Sequence, residues 1–296
     1  MRVVVSGASG LIGRHLVAHL RGAGHDVLTL VRRPVREPHQ VQWDPSRGEL
    51  DPRALGRLDG AVNLSGAGVG DQRWTDDYKR TILSSRLDTT STLVGALLRL
   101  DEAPQVLVNA SAIGAYGDGG SAVLTEDAPR GDDFLADVVA QWEGATEPAS
   151  AAGVRVALAR TGLLANPVGG AFGQLLTLFK LGLGGPLGSG RQWWSPITMP
   201  DELAALEFLL TRPVSGPANL TCPEPATNTA LTTALGAALH RPSLVPAPGF
   251  ALKLVLGEFA GQVLASQRVV PSVLLEHGFT FRHPDVAAVT GWLARA

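Results

Sequence analysis

The residues best placed for chemistry stand at the start of the chain. Gly7-Ala8-Ser9-Gly10-Leu11-Ile12-Gly13 forms a GxxGxxG motif directly after the β-branched run Val3–Val5. Leu11, Ile12, Leu16, Val17 and Leu20 then recur at helical spacing, Gly24 closes the segment, and Asp26–Val31 reads as a second strand. Strand, glycine turn, helix and strand are the surroundings in which such a motif binds a dinucleotide. Glycines let the backbone approach a pyrophosphate, and the helix N-terminus supplies N–H donors and a positive dipole end. The expected contacts are Gly7, Ser9, Gly10, Leu11, Ile12 and Gly13.

The end of the second strand discriminates between dinucleotides. An acidic residue there would accept from a ribose 2′-hydroxyl. This chain instead has Arg32-Arg33-Pro34. Two guanidiniums attract a 2′-phosphate and leave no carboxylate to repel it. NADP(H) is therefore the expected cofactor. The alternative is a pair of surface arginines on a loop.

Other reactive side chains are sparse. The two tyrosines, Tyr78 and Tyr116, are followed four residues on by Ile82 and Gly120, so the chain contains no Tyr-x-x-x-Lys pair. Cys222 is the lone cysteine and reads as buried, not nucleophilic. The seven histidines show no metal-binding spacing, and no metal is expected.

The elements that must position these groups alternate. Short strands are expected at 41–43, 60–64, 105–110 and 154–159, with helices over about 75–100 and 134–152. Alternation of this kind gives a parallel sheet with right-handed crossovers. Beyond residue 160 the pattern loosens, with Gly/Pro-rich separators at 166–173, 182–190, 213–217 and 242–249. The expected fold is α/β, a Rossmann doubly wound parallel sheet with a smaller C-terminal α/β lobe. Residues 1–165 would form the first domain and 166–296 the lobe, with some segments returning to the sheet.

Composition sets the outer bounds. The chain has 296 residues, 45% of them hydrophobic, which suffices for a sizeable core. A formal net charge of −2 gives no basic excess pointing to nucleic acid or an anionic membrane. No run of about 18 apolar residues occurs, so no transmembrane helix is expected. MRVVVSGASG enters a strand at once, so no signal peptide is expected either. A single cysteine rules out an intramolecular disulfide and fits a reducing, cytoplasmic setting.

Several segments carry a family resemblance. The glycine motif, Asn63-Leu64-Ser65-Gly66 and Ser111 resemble the extended short-chain dehydrogenase/reductases. Arg73-Trp74-Thr75, Ser85-Arg86, Ala112-Ile113-Gly114 before Tyr116-Gly117-Asp118, Trp142-Glu143 and Gly184–Gly190 before Arg191-Gln192-Trp193-Trp194 resemble one subgroup. It comprises the "epimerase family proteins", related to short-chain dehydrogenase/reductase family 39U and to plastid and cyanobacterial cell-division inhibitors of the SulA type. The tail through Gln267-Arg268-Val269 and Gly278-Phe279-Thr280-Phe281 resembles its C-terminal domain of unknown function, about 243–296.

The resemblance implies that Leu64, Ser65, Gly66 and Ala110 lie along the cofactor, with Ser111, Gly162 and Leu163 at its nicotinamide end. Arg86 stands where many members carry asparagine and would reach the cofactor, an anionic ligand or an ion-pair partner. The superfamily's Tyr-x-x-x-Lys pair is replaced by Phe134 and Val138. Tyr116 is the substitute acid to consider beside Ser111. Asp133 and Glu143 read as an N-cap and a solvent-facing charge, with acid roles as the alternative. Trp193-Trp194 is either a substrate wall or packing between lobes. The implied function is that of an NADP-dependent oxidoreductase or nucleotide-sugar-type epimerase acting on a small molecule, as monomer or homodimer. The alternative is a weakly catalytic NADP(H)-binding regulator or scaffold linked to cell division.

Overall fold

The computed structural model describes residues 1–295. Strand β1 (Arg2–Ser6) leads through the glycine turn into helix α1 (Leu11–Gly22) and back to β2 (Asp26–Val31). β3 (Gln40–Asp44) pairs antiparallel with the short β4 (Glu49–Leu50), and α2 (Pro52–Leu55) precedes β5 (Gly60–Asn63). Then follow α3 (Asp76–Leu97), β6 (Val106–Ala112), β7 (Val123–Leu124), α4 (Phe134–Gly144), α5 (Glu147–Ala151), β8 (Arg155–Thr161) and β9 (Leu163–Ala165). The remainder forms α6 (Gly170–Lys180), β10 (Trp193–Trp194), β11 (Pro196–Thr198), α7 (Met199–Thr211), β12 (Gly216–Leu220) and β13 (Ala226–Thr227). It ends with α8 (Asn228–Ala238), α9 (Gly249–Leu256), α10 (Ala260–Leu264), β14 (Arg268–Val269), α11 (Ser272–Glu276) and α12 (Val286–Arg295).

The main sheet has eight strands in the order β4-β3-β2-β1-β5-β6-β8-β12, parallel throughout except for β3–β4. Strand order reverses at β1, and in such sheets ligands bind beyond the carboxyl ends of the strands at that switch point. Both faces are covered, which is why Val3–Val5, Ala61–Val62 and Val106–Val108 are apolar at every position. On one face Val3 and Val5 pack with Leu16 and Leu20 of α1 and Leu206 and Leu209 of α7. On the other, Val4, Ala61 and Leu107 pack with Leu93 and Leu97 of α3. α1 buries Leu16 and Leu20 and leaves Arg14 and His15 exposed, the division its periodicity predicts.

The chain beyond residue 165 contributes to the same sheet. β12 pairs with β8 from Gly216↔Ala157 to Leu220↔Thr161, and α7 covers the face shared with α1. The 213–217 separator therefore begins an edge strand, where Pro217 is tolerated because an edge leaves one side of the ladder unpaired. A separate core of Phe172, Leu176, Phe179, Leu231, Leu235 and Val289 holds α6, α8 and α12 together.

Three element boundaries differ from those expected. The single helix over 134–152 is two helices, broken at Ala145–Thr146, with Pro148 in the first turn of α5. A proline has no N–H to donate and is accommodated at a helix start, not in its middle. β6 continues to Ala112, so Ser111 is inside the strand and not after it. β8 likewise continues to Thr161, placing Arg160 within the sheet.

Candidate functional site

The glycine turn is shaped by close backbone contacts. Gly7 has φ +68°, and a Cβ there would lie 2.7 Å from the carbonyl carbon and oxygen of Leu64. A Cβ on Gly13 would lie 2.2 Å from the Gly7 carbonyl oxygen. These two glycines let α1 start tightly against the ends of β1 and β5. Gly10 differs: its Cβ would meet only the Gly7 oxygen at 3.2 Å, leaving its other side open. Gly10 is the N-cap of α1 and offers no side-chain cap. The first N–H groups of a helix lack intrahelical partners, so Leu11, Ile12 and Gly13 present donors and the positive dipole end with no side chain covering them. Ser9 and Gly10 are exposed beside them.

The turn brings Leu64 and Ser65 alongside. Ser65 donates to the Ser6 hydroxyl at 3.0 Å, and Ser6 to Asn63 at 2.5 Å. Asn63 in turn donates to Asn109 at 2.7 Å and Thr90 at 2.9 Å. This buried ladder ties the ends of β1, β5 and β6 together under the proposed ligand. β2 runs beside β1 with Val5 opposite Thr29, so Arg32 and Arg33 leave the sheet next to the turn. Both are exposed. Arg33 reaches Gln40 at 3.3 Å, and among the described residues neither arginine meets a carboxylate.

Among the described residues Arg86 has no ion-pair partner either, which leaves the ion-pair alternative without support. Its guanidinium donates to the carbonyls of Ala67 at 3.0 Å and Ile82 at 2.8 Å and lies 4.9 Å from the Trp142 ring. Burial pushes its pKa down to about 10. It braces the Gly66–Ala67 loop: Gly66 packs against its side chain.

At β6 the structure assembles a buried charged cluster. Ser111 donates to Glu143 at 2.5 Å. Arg160 grips the same carboxylate with two hydrogen bonds, at 2.9 and 3.0 Å, and Arg130 also donates to it. Arg160 donates a further bond to the Tyr116 hydroxyl at 2.9 Å, and Tyr116 donates to Asn219 at 2.7 Å. Ser111, Tyr116, Glu143 and Arg160 are each at most 4% exposed. Glu143 is thus no solvent-facing charge. Burial raises its carboxyl, but the hydrogen bonds and charge of Arg160, with Ser111 and Arg130, hold it below the ordinary range. Burial raises the Tyr116 phenol and Arg160 opposes it only in part. That is the reverse of the lowered phenol a tyrosine–lysine pair provides.

Phe134 and Val138 occupy the helix position of the absent pair. Asp133 is the N-cap, accepting from the Ala136 N–H at 2.9 Å. Phe134 joins an aromatic cluster, its ring 5.1 Å from Trp74, which in turn packs on Phe259. Ala110 lies within β6. Gly162 and Leu163 link β8 to β9, held by Gly162 N–H to Leu220 and Leu163 N–H to Ser195, both 2.9 Å. Trp194 packs in the core of the C-terminal lobe, while Trp193 lies under Arg268 at 4.3 Å. Cys222 is buried, and its thiol is pushed up to about 12 by burial.

Sequence reasoning passed over Arg130, Arg160 as an ion-pair partner, and Glu202. Two signals existed. Glu143 follows Val139 by four residues on the buried side of α4, and Arg160 directly follows the apolar run Val156–Ala159. A charge in such a place needs a partner. Glu202, in the first turn of α7, accepts from Thr161 at 2.8 Å while its second oxygen has no partner. Burial raises its carboxyl to about 8 from 4.5. Between those values the folded chain binds more protons than the unfolded chain, so this group makes stability fall as pH rises. The expected slope is at most about 1.4 kcal/mol per pH unit between pH 5 and 8. Urea unfolding across that range should show it, and Glu202→Gln should flatten it; equal slopes in both proteins would remove Glu202 as the cause.

A doubly wound sheet with an uncapped glycine turn at its first crossover defines a dinucleotide-binding protein of the Rossmann class. The chain belongs to the NAD dependent epimerase/dehydratase family, which matches residues 3–139, and residues 247–291 match a domain of unknown function, DUF1731. An epimerase family protein of Mycobacterium bovis is 42% identical over 292 residues, covering 98% of this chain and 96% of the relative. The epimerase family protein SDR39U1 of Homo sapiens is 34% identical over 97% of this chain and 98% of its own length. The crystal structure of human SDR39U1 with NADPH matches with a TM-score of 0.91 at 32% identity, covering 100% of this chain and 99% of that one. The nucleoside-diphosphate sugar epimerase of Corynebacterium glutamicum matches with a TM-score of 0.79 at 34% identity over 100% of this chain and 58% of that one. Among the described residues no helix is long and apolar enough to cross a membrane.

Proposed function

We propose that the chain binds NADP(H) and acts as an atypical short-chain oxidoreductase or epimerase on a small molecule of the nucleotide-sugar type. One observation carries the cofactor reading: the uncapped α1 N-terminus stands beside two arginines without carboxylate partners, matching a pyrophosphate and a 2′-phosphate. The backbone at Gly7, Ser9, Gly10, Leu11, Ile12 and Gly13 would hold the former, and Arg32 and Arg33 the latter. Leu64, Ser65, Gly66 and Ala110 would line the remainder, with Arg86 supporting the loop and Gly162 and Leu163 at the nicotinamide end. The relative crystallised with NADPH supports the choice, and the nucleoside-diphosphate sugar epimerase supports the substrate class. The lone buried thiol fits a cytoplasmic setting.

The cofactor would supply hydride transfer. This chain's own residues bind, orient and hold protons. Ser111 and Tyr116, expected at the reacting centre, both spend their hydroxyl protons on protein acceptors, Glu143 and Asn219. We assign them as positioning residues that set the ends of β6 and β8, not as a proton-transfer pair.

Calorimetric titration with NADPH and NADH tests this reading. Tight NADPH with weak NADH is expected. Arg32→Ala and Arg33→Ala should each weaken NADPH by on the order of 10- to 100-fold, since one charge-assisted bond contributes about 1.5–3 kcal/mol. NADH binding should not change. Tighter NADH than NADPH in the unmodified protein would overturn the assignment.

A further inference from the structure

The net charge of −2 conceals a segregation. No Asp or Glu occurs between residues 148 and 200, or between 225 and 257, although the chain has 27. These two stretches also supply nine of the thirteen exposed large apolar side chains. They meet in space. The Val245 N–H donates to Gly184, Ala247 to Pro186 and Gly188 to Ala247, and Leu187 bridges Ala247 in parallel. The result is one surface on the C-terminal lobe, carrying Leu181, Leu183, Leu244, Phe250, Leu254 and Val255.

Helix α9 is the projecting part of this surface. None of its residues is buried, and Phe250, Leu254 and Val255 are 78%, 76% and 73% exposed. Two of the chain's three lysines, Lys180 and Lys253, belong to this surface, with Arg241 between the loops that join it. All three cations are exposed, and among the described residues none makes an ion pair. Glu258, just beyond α9, is engaged by Lys79.

We propose that this face of the C-terminal lobe, led by α9, docks the protein on an anionic lipid surface. Apolar side chains standing clear of the fold, with unpaired exposed cations in the same two stretches and no carboxylate in either, meet the requirements for seating in a headgroup layer. A second copy fits less well. A two-fold contact would press the patch of Lys180, Arg241 and Lys253 onto the same cationic patch of the other copy, with no carboxylate in either stretch to neutralise it. No spanning segment is involved: α9 has eight residues and would lie in the interface.

Vesicle co-sedimentation of the full chain tests the proposal. Binding is expected to vesicles of equal parts phosphatidylcholine and phosphatidylglycerol, to weaken with added salt, and to be much poorer on phosphatidylcholine alone. The double variant F250S/L254S should bind at least about 100-fold more weakly, since both apolar side chains lose their burial in the headgroup layer. K180E/K253E should lose the preference for the anionic lipid. All four positions are exposed, and unchanged thermal unfolding would show each variant folded. No binding to anionic vesicles, or equal binding to both compositions, overturns the proposal. So does a dimer in sedimentation equilibrium that F250S/L254S converts to monomer without lipid binding, which would make the face an interface between copies.

Discussion

Gly13→Ala should abolish measurable NADPH binding and destabilise the fold by about 3 kcal/mol. The added methyl would sit 2.2 Å from the Gly7 oxygen, 2.8 Å from the Gly7 carbon and 2.9 Å from the Ala8 Cα. All three are backbone atoms, so no side chain can swing aside. Relief requires α1 to move off the turn, and the N–H groups of its first residues move with it. Gly22→Ala, at the other end of the same helix, is the control, because nothing lies within 4 Å of the new methyl. That variant should bind NADPH normally and remain within about 1 kcal/mol of the parent. Calorimetry and urea unfolding on the two proteins separate the outcomes; normal binding by Gly13→Ala would mean that the turn is not the nucleotide cradle.

Glu143→Ala should cost about 3–5 kcal/mol, the range for removing one partner of a buried ion pair. The residue left behind is Arg160, 3% exposed near the carboxyl end of β8, with the Tyr116 hydroxyl and the Glu126 carbonyl as its remaining partners. Ser111 loses its acceptor in the same step. Glu143→Gln keeps the shape and separates charge from packing. It also predicts a pH signature. The folded carboxyl is held below its ordinary 4.5, so its contribution is present above that value and is lost as pH falls through the folded pKa. The parent should therefore weaken below about pH 4.5 from this source, while Glu143→Gln should not. A Glu143→Ala protein within 1 kcal/mol of the parent at neutral pH would show that water, not Glu143, solvates Arg160.

The proposed nucleotide cradle and the ionic cluster were unequally legible in the sequence. The cradle is local: strand, turn, helix and arginines fall within residues 3–33, and each announces itself by period or by glycine. The cluster is assembled from Ser111, Arg130, Glu143 and Arg160, which share only the geometry of β6 beside β8 and of α4 packed across them. Without that neighbourhood, Glu143 looks like any helical charge. The break between α4 and α5 was foreshadowed by Pro148, since a proline inside a helix removes a hydrogen bond. That part of the later chain returns to the sheet was legible, but not that 216–220 is the returning strand, because Gly216 and Pro217 carry loop chemistry and only pairing with β8 overrides it. Glu202 left no local trace at all: it sits in a helix start, where a carboxylate is ordinary.

That return has a consequence for how the chain is made. β8 gains its outer neighbour only when residues 216–220 arrive, and the face above β1 and α1 closes only when α7 and then Phe279 and Phe281 are in place. During synthesis the first 165 residues can order their turns and helices, yet the part of the sheet face that α7 covers stays open to water until residues 199–211 have left the ribosome. Nascent chains of this architecture therefore pass through an interval with part of a greasy sheet face unsheltered, in which chaperones or aggregation compete for it.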